Sequence, residues 1–206
     1  MTPPSQISLN VGAFADFMTA TASGQTAAVS DAINMYGSDY EPAHDFYRGI
    51  RSAIRDDIAF GFDAAKLDDV VRRANPKKRD HYRELTIGWT AWRPKDSLAL
   101  TQESGTWTEG NLSLRVAPTF LVTKPKHLSV VCCYYKQAPL SVDAAQAITR
   151  IMEQSLPSAL GRPAVLDIRR HKLHLARAHR RKNFDTWIAG QAAVFTTMYA
   201  SIMKAA

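Results

Sequence analysis

Apolar and polar positions repeat with two different periods along this chain, and the change of period falls near residue 94. Up to that point apolar residues return every three or four positions. In "NVGAFADFMTATA", Val11, Phe14, Phe17 and Met18 share one helical face behind Asn10, a residue type that caps helix N-termini. "SGQTAAVSDAINMYG" predicts a second helix, with Gly37 as its stop. "PAHDFYRGIRSAIRDDIAF" predicts a third, with Pro42 in its first turn and Phe46, Ile50, Ile54 and Ile58 at helical spacing. "DAAKLDDVVRRA" reads as a short amphipathic helix. "PKKRDHYRELTIGWTAWR" sets Tyr82, Leu85, Trp89 and Trp92 on one core-facing stripe, and Pro94 ends it.

Beyond residue 94 the period drops to two. "SLALTQE" alternates, and "TWTEGNLSLRVA" alternates on either side of the turn residues Gly110 and Asn111. "TFLVT" and "LSVVCCYYK" are β-favouring runs separated by the turn "KPKH". Ser141 then caps a helix, "VDAAQAITRIMEQSL", with Ala145, Ile148, Ile151 and Met152 inward. "GRP" leads into the strand "AVLDIR", and "NFDTWIAGQAAVFTTMYASIM" is a long terminal helix with Trp187, Ala192, Phe195 and Met198 on its face. The prediction is a helical region over 1–75 packed as one domain with an α/β core over 76–206, which opens on the fifth helix and continues β-β-β-α-β-α. This is an α/β (α+β) fold with a central mixed sheet flanked by helices. The segment between "SVVCCYYK" and "AVLDIR" has the length of a parallel crossover.

Composition changes this picture little. With 206 residues, 46% hydrophobic content and four Trp, the chain can bury a sizeable core, which excludes general disorder. "MTPPSQISLN" has no basic start and no apolar run of a signal peptide, and no stretch reaches membrane-span length. A reducing, cytoplasmic setting without membrane contact is the expectation. Cys132 and Cys133 are adjacent, so a strand would send them to opposite faces, poorly placed to pair or to share a metal. They read as reduced core residues.

The segments "NPKKRDHYRELTIGW", "LRVAPTFLVTKPKHLSVVCCYYK", "PLSVDAAQAITRIM" and "AVLDIRRHKL" together resemble, in order and style, the core of the PD-(D/E)XK nuclease-like superfamily. "DFYRGIRSAI" and "LDIRRHKL" are also similar to segments of uncharacterised bacterial proteins. The resemblance implies a nuclease-like fold whose active members hold a divalent metal on two carboxylates beside a lysine. Here Thr119 stands at the first acidic position, and Tyr134 takes the second, two residues before Lys136. Hydroxyl side chains do not replace carboxylates around a hard cation. The implied site is therefore degenerate, with no catalytic residues, metal or cofactor assigned. A divergent metal-dependent nuclease using Asp167, Lys136 and a displaced Glu84, Glu103 or Glu109 is the enzymatic alternative. No Gly-rich phosphate loop or nucleophile elbow is present, and His171, His174 and His179 sit among cations that repel a metal ion.

Charge points to a partner. The chain carries a formal net charge of +7, with 26 Lys and Arg against 19 Asp and Glu. "VLDIRRHKLHLARAHRRK" contributes Arg169, Arg170, Lys172, Arg177, Arg180, Arg181 and Lys182 with no acid after Asp167, and the remaining basic residues are matched by the 19 acids. As a continuous strand it would put Arg170, Lys172 and His174 on one face and Arg169, His171 and Leu173 on the other. A second cluster, Lys77, Lys78, Arg79 and Arg83, lies on the fifth helix, and Lys136 ends a strand. Cations gathered this way suit a phosphate backbone. The leading expectation is non-catalytic nucleic-acid binding through these residues; a protein-interaction module, as a homodimer through an exposed strand edge, is the other binding reading.

Overall fold

The computed structural model describes residues 6–36, 45–94, 97–125, 127–177 and 182–205. Its axis is the strand "HLSVVCCY", His127–Tyr134 (β6), rich in residues that favour a pleated, buried surface. Alternation divides its side chains between two cores: Val130, Cys132 and Tyr134 enter one, while Val131 and Cys133 enter the other with the following residue, Tyr135. The two cysteines thus face opposite ways and are both free thiols.

β6 is the centre of a five-stranded sheet. Ser97–Leu100 (β2) pairs antiparallel with Phe120–Lys124 (β5), and β5 pairs antiparallel with β6. Arg162–Asp167 (β7) runs parallel to β6, joined to it by the helix Val142–Ser155 (α6), as the crossover length requires. Lys172–Leu175 (β8) closes the far edge antiparallel to β7. This mixed sheet is flanked by helices. Arg48–Phe60 (α3), Ala64–Arg73 (α4) and Pro76–Trp92 (α5) cover one face through Ile50, Ile54, Leu67, Leu85 and Trp89. On the other face α6 brings Ala145, Ile148, Ile151 and Met152 to a core shared with Val11–Thr19 (α1), Ala22–Tyr36 (α2) and Phe184–Ala205 (α7).

Local chemistry accounts for the helix ends. Asn10 accepts from the Ala13 N–H at 2.8 Å, Asp63 from the Ala65 N–H at 3.0 Å, Asn75 from the Lys77 N–H at 3.0 Å and Ser141 from the Ala144 N–H at 3.1 Å. Pro76 opens α5, where its missing N–H costs no hydrogen bond. α3 begins at Arg48, later than the apolar spacing predicts, while Gly37 and Pro42 lie outside the described residues.

Three features differ from the expected β-β-β meander. The hairpin Gly105–Glu109 (β3) and Leu112–Val116 (β4) leaves the central sheet. It forms a separate three-stranded sheet with Ile7–Asn10 (β1), which pairs parallel with β4. The reason is steric and apolar: Trp107, Leu112 and Leu114 need the outer side of α6 to be buried, and Gly105 lets β3 reach it. A Cβ at Gly105 would fall 1.9 Å from the Ser155 carbonyl oxygen. β1, only four residues long, ties the chain start into the second half. Finally, the basic strip is not one strand. β7 stops at Asp167, a 3-10 turn covers Ile168–Arg170, and His171 adopts left-handed backbone (φ 41°) that sends the chain back as β8.

Candidate nucleic-acid interface

That reversal redistributes the strip. Arg169 does not face outward. Its side chain is 4% exposed, and its guanidinium is spent on the Tyr135 carbonyl (Nε to O, 3.1 Å), His81 Nδ1 (3.0 Å) and the Glu84 carboxylate. Arg170 donates to the Gln137 carbonyl at 2.6 Å and reaches Asp167 at 3.4 Å. Both are corrections to the expected binding row: the first is a buried brace and the second is half engaged. Lys136 is corrected likewise, since its ammonium lies 3.0 Å from Asp16 of α1. Burial opposes the Lys136 charge, yet the Asp16 carboxylate holds its pKa above the usual lysine value, while burial raises the Asp16 carboxyl as well. Lys172, Arg177 and Lys182 are exposed; Arg180 and Arg181 lie outside the described residues.

Arg169 nevertheless joins the two basic clusters. Its contacts to His81 and Glu84 seat the turn after β7 on α5, and Gly88 makes the approach possible. A Cβ there would lie 2.0 Å from the Ile168 carbonyl oxygen. The turn carrying Arg170, with Lys172 just beyond it at the start of β8, thus abuts the helix carrying Lys77–Arg83.

The denser cluster is at the corner between α4 and α5. Between residues 72 and 83 stand Arg72, Arg73, Lys77, Lys78, Arg79 and Arg83 against one acid, Asp80. Ala74 and Asn75 are the only residues between the two helices, so both helix ends place their cations together. Arg72 and Arg73 share Asp69, and Arg83 meets Asp80 at 2.6 Å. These are exposed pairs one turn apart and hold weakly, about 0.2–1 kcal/mol each. Among the described residues Lys77, Lys78 and Arg79 have no acidic partner; Lys78 rests 5.3 Å from the centre of the Phe46 ring. A cleft of about 550 Å³ opens beside them, lined by Asp68, Val71, Arg72, Arg79, Arg83, Thr86 and Ile87. The Thr86 hydroxyl is buried and finds no hydrogen-bond partner among the described residues.

Placement of the three cations in the first turn of α5 runs against stability. The positive end of a helix dipole disfavours cations by about 0.3–1 kcal/mol each. An anion over the same turn would reverse that sign through the dipole and the three cations alone, since Pro76 has no N–H and those of Lys77, Lys78 and Arg79 already donate to Asn75.

The positions that the nuclease resemblance marks are occupied differently. Thr119 precedes β5 and gives its N–H to the Val131 carbonyl. Tyr134 is buried, opposite Asp167 in the β6–β7 register. Asp167 is 1% exposed and uses its own chain as partner, accepting from the Leu140 N–H at 3.2 Å and pairing with Arg170. Glu84 holds Arg169, and Glu109 is in the other sheet. Among the described residues no three of His, Cys, Asp and Glu gather where they could bind a metal. As for the strand-edge interface, the edges of the central sheet are β2 and β8, and β8 carries exposed Lys172, a charge that discourages strand addition. Among the described residues no helix is long and apolar enough to cross a membrane.

Sequence reasoning counted Lys77–Arg83 but passed over Arg72, Arg73 and Thr86. The run "RRANPKKR" holds the missing signal: five cations on both sides of a helix break marked by Asn-Pro. No protein-family model, curated protein or solved structure matches the chain.

Proposed function

We propose that this chain is a non-catalytic nucleic-acid-binding protein that engages the phosphate backbone through the α4–α5 corner, with Lys172, Arg177 and Lys182 extending the contact beyond the β7–β8 turn. The observation that carries the reading is the first turn of α5. Three cations sit there against the helix dipole, unpaired with any acid among the described residues, beside Arg72, Arg83 and an open cleft. Stability alone selects acids at such a position, and a phosphate ligand supplies the missing negative charge. The contacts are to phosphate rather than to base edges, so binding is salt-sensitive and largely indifferent to sequence.

The test is fluorescence anisotropy of labelled oligonucleotides with wild type and with the Arg72→Ala/Arg79→Ala/Arg83→Ala variant. All three side chains are exposed, so the variant keeps its fold, which circular dichroism checks. A drop in affinity of about tenfold or more is expected, with the same loss for unrelated sequences. An unchanged affinity, or wild type that binds no oligonucleotide at low salt, overturns the proposal.

A further inference from the structure

The connection between α3 and α4 displays two phenylalanines on a short, fixed loop. Phe60 is 77% exposed and Phe62 is 47% exposed, whereas the other aromatic rings of α3, α4 and α5 are buried or half-buried. Leaving the rings so exposed forfeits part of the about 1.5–3 kcal/mol that full burial of each would give, the larger part at Phe60. Gly61 lies between them at φ 84° and ψ 163°, a backbone region that is essentially confined to glycine. No atom stands within 4 Å of a Cβ added at Gly61, so conformation and not crowding requires glycine there.

A buried carboxylate holds this loop in place. The Asp57 side chain, 2% exposed, accepts from the Asp63 N–H at 3.2 Å, from Trp89 Nε1 at 2.9 Å and from Arg93 Nε at 2.7 Å. Asp63 in turn caps α4. The loop is thus tied to α3, α4 and α5 on both sides of the two rings. A cation lies over one face of each ring, Lys66 Nζ 5.9 Å from the centre of Phe60 and Arg93 Cζ 5.1 Å from the centre of Phe62, which leaves the opposite faces for a ligand. The arrangement is a rigid pair of exposed π faces next to positive charge. It is the chemistry that stacks successive bases while holding their phosphates, and it does not suit a duplex, whose bases are already stacked.

We propose that Phe60 and Phe62 are a stacking platform for the unpaired bases of a single-stranded nucleic acid whose phosphates continue along α4 to the Arg72–Arg79 corner. The inference rests on the nucleic-acid reading above and narrows it to single strands. α4 spans ten residues, about 15 Å, so platform and corner are the two ends of one short track.

The experiment compares wild type, Phe60→Ala/Phe62→Ala and Phe60→Leu/Phe62→Leu in binding labelled oligothymidine and a labelled DNA hairpin duplex. The leucine variant keeps apolar area and removes the π faces. Stacking is worth about 1–3 kcal/mol per base, so each variant should lose about tenfold or more in affinity for oligothymidine and keep its affinity for the duplex. Unchanged oligothymidine binding, or equal loss on both ligands, overturns the platform and leaves the corner intact. Wild type that binds the duplex but not oligothymidine does the same. Loss in the alanine variant alone, accompanied by lost binding to anionic phosphatidylserine vesicles, would make the tip a membrane contact and overturn the inference. Wild type that binds neither nucleic acid defeats the underlying reading itself.

Discussion

Replacing Arg169 by alanine separates a structural arginine from a binding one. The guanidinium is almost wholly buried and makes three contacts. Two of them, to the Tyr135 carbonyl and the His81 ring, are charge-assisted hydrogen bonds in a part-buried setting, where loss costs about 1.5–3 kcal/mol each. The third partner, Glu84, is 57% exposed and turns to water when released, which keeps its share to about 1 kcal/mol or less. The alanine leaves a space under the turn after β7 but also removes a desolvated charge, so the low end of the range applies, about 3 kcal/mol. For a chain of this size 1 kcal/mol corresponds to about 2–4 °C in Tm, which gives a fall of about 6–12 °C by scanning calorimetry. Lysine does not rescue it, because one ammonium cannot reach three partners in the guanidinium plane. Oligonucleotide affinity per folded molecule should stay within about twofold of wild type. A Tm change below about 2 °C, or an affinity loss as large as that of Arg72→Ala/Arg79→Ala/Arg83→Ala, would refute the assignment of Arg169 as a brace.

Further outcomes follow from the packing and from three displaced titrations. Gly88→Ala puts a methyl group 2.0 Å from the Ile168 carbonyl oxygen, a backbone atom that no rotamer change can move. It should cost about 3 kcal/mol, read as a lowered urea midpoint, and near-wild-type stability would mean that α5 is not pressed on that turn. His174 is held below its ordinary pKa of 6.5 by burial and by Lys172. The unfolded chain then takes up a proton at a pH where the folded chain does not. Its contribution is present above pH 6.5 and lost as pH falls towards the folded pKa. The urea midpoint should therefore decline below pH 6.5, less steeply in His174→Gln; identical slopes would contradict this. Burial pushes the Cys133 thiol up to about 11 and the Cys132 thiol higher still. An aromatic disulfide reagent at neutral pH should leave both untouched until the protein is unfolded, and fast labelling of the native protein would show an open sheet.

The helices and central strands were legible because local signals agreed with tertiary needs. Asn10 and Ser141 cap the helices they were expected to cap, and Val130 to Tyr135 alternate as a buried strand must. Partnership between sheets was not legible. Nothing in "ISLN" says that it will pair with Leu112–Arg115, a register fixed by burying Ile7 and Leu9 against α1 and α2. The basic strip misled for a similar reason. A run of cations in sequence carries no sign of which ones fold inward, and Arg169 and Arg170 find Glu84 and Asp167 only once the turn at His171 closes. The converse holds at the α4–α5 corner. Arg72 and Arg73 are separated in sequence from Lys77 by a helix break, yet that break is what brings them together. Phe60 and Phe62 lie off the stripe of Phe46, Ile50, Ile54 and Ile58, and nothing in that spacing shows the Asp57 clamp that fixes their loop, formed with partners up to 36 residues away.

The most direct measurement is the salt dependence of oligothymidine binding for wild type and Lys77→Ala/Lys78→Ala, plotted as log affinity against log salt. Each lost phosphate contact on a single strand lowers the slope by about 0.7, so the variant should be shallower by about 1.4. Equal slopes for the two proteins, or affinity that ignores salt altogether, would mean that the first turn of α5 does not hold phosphate.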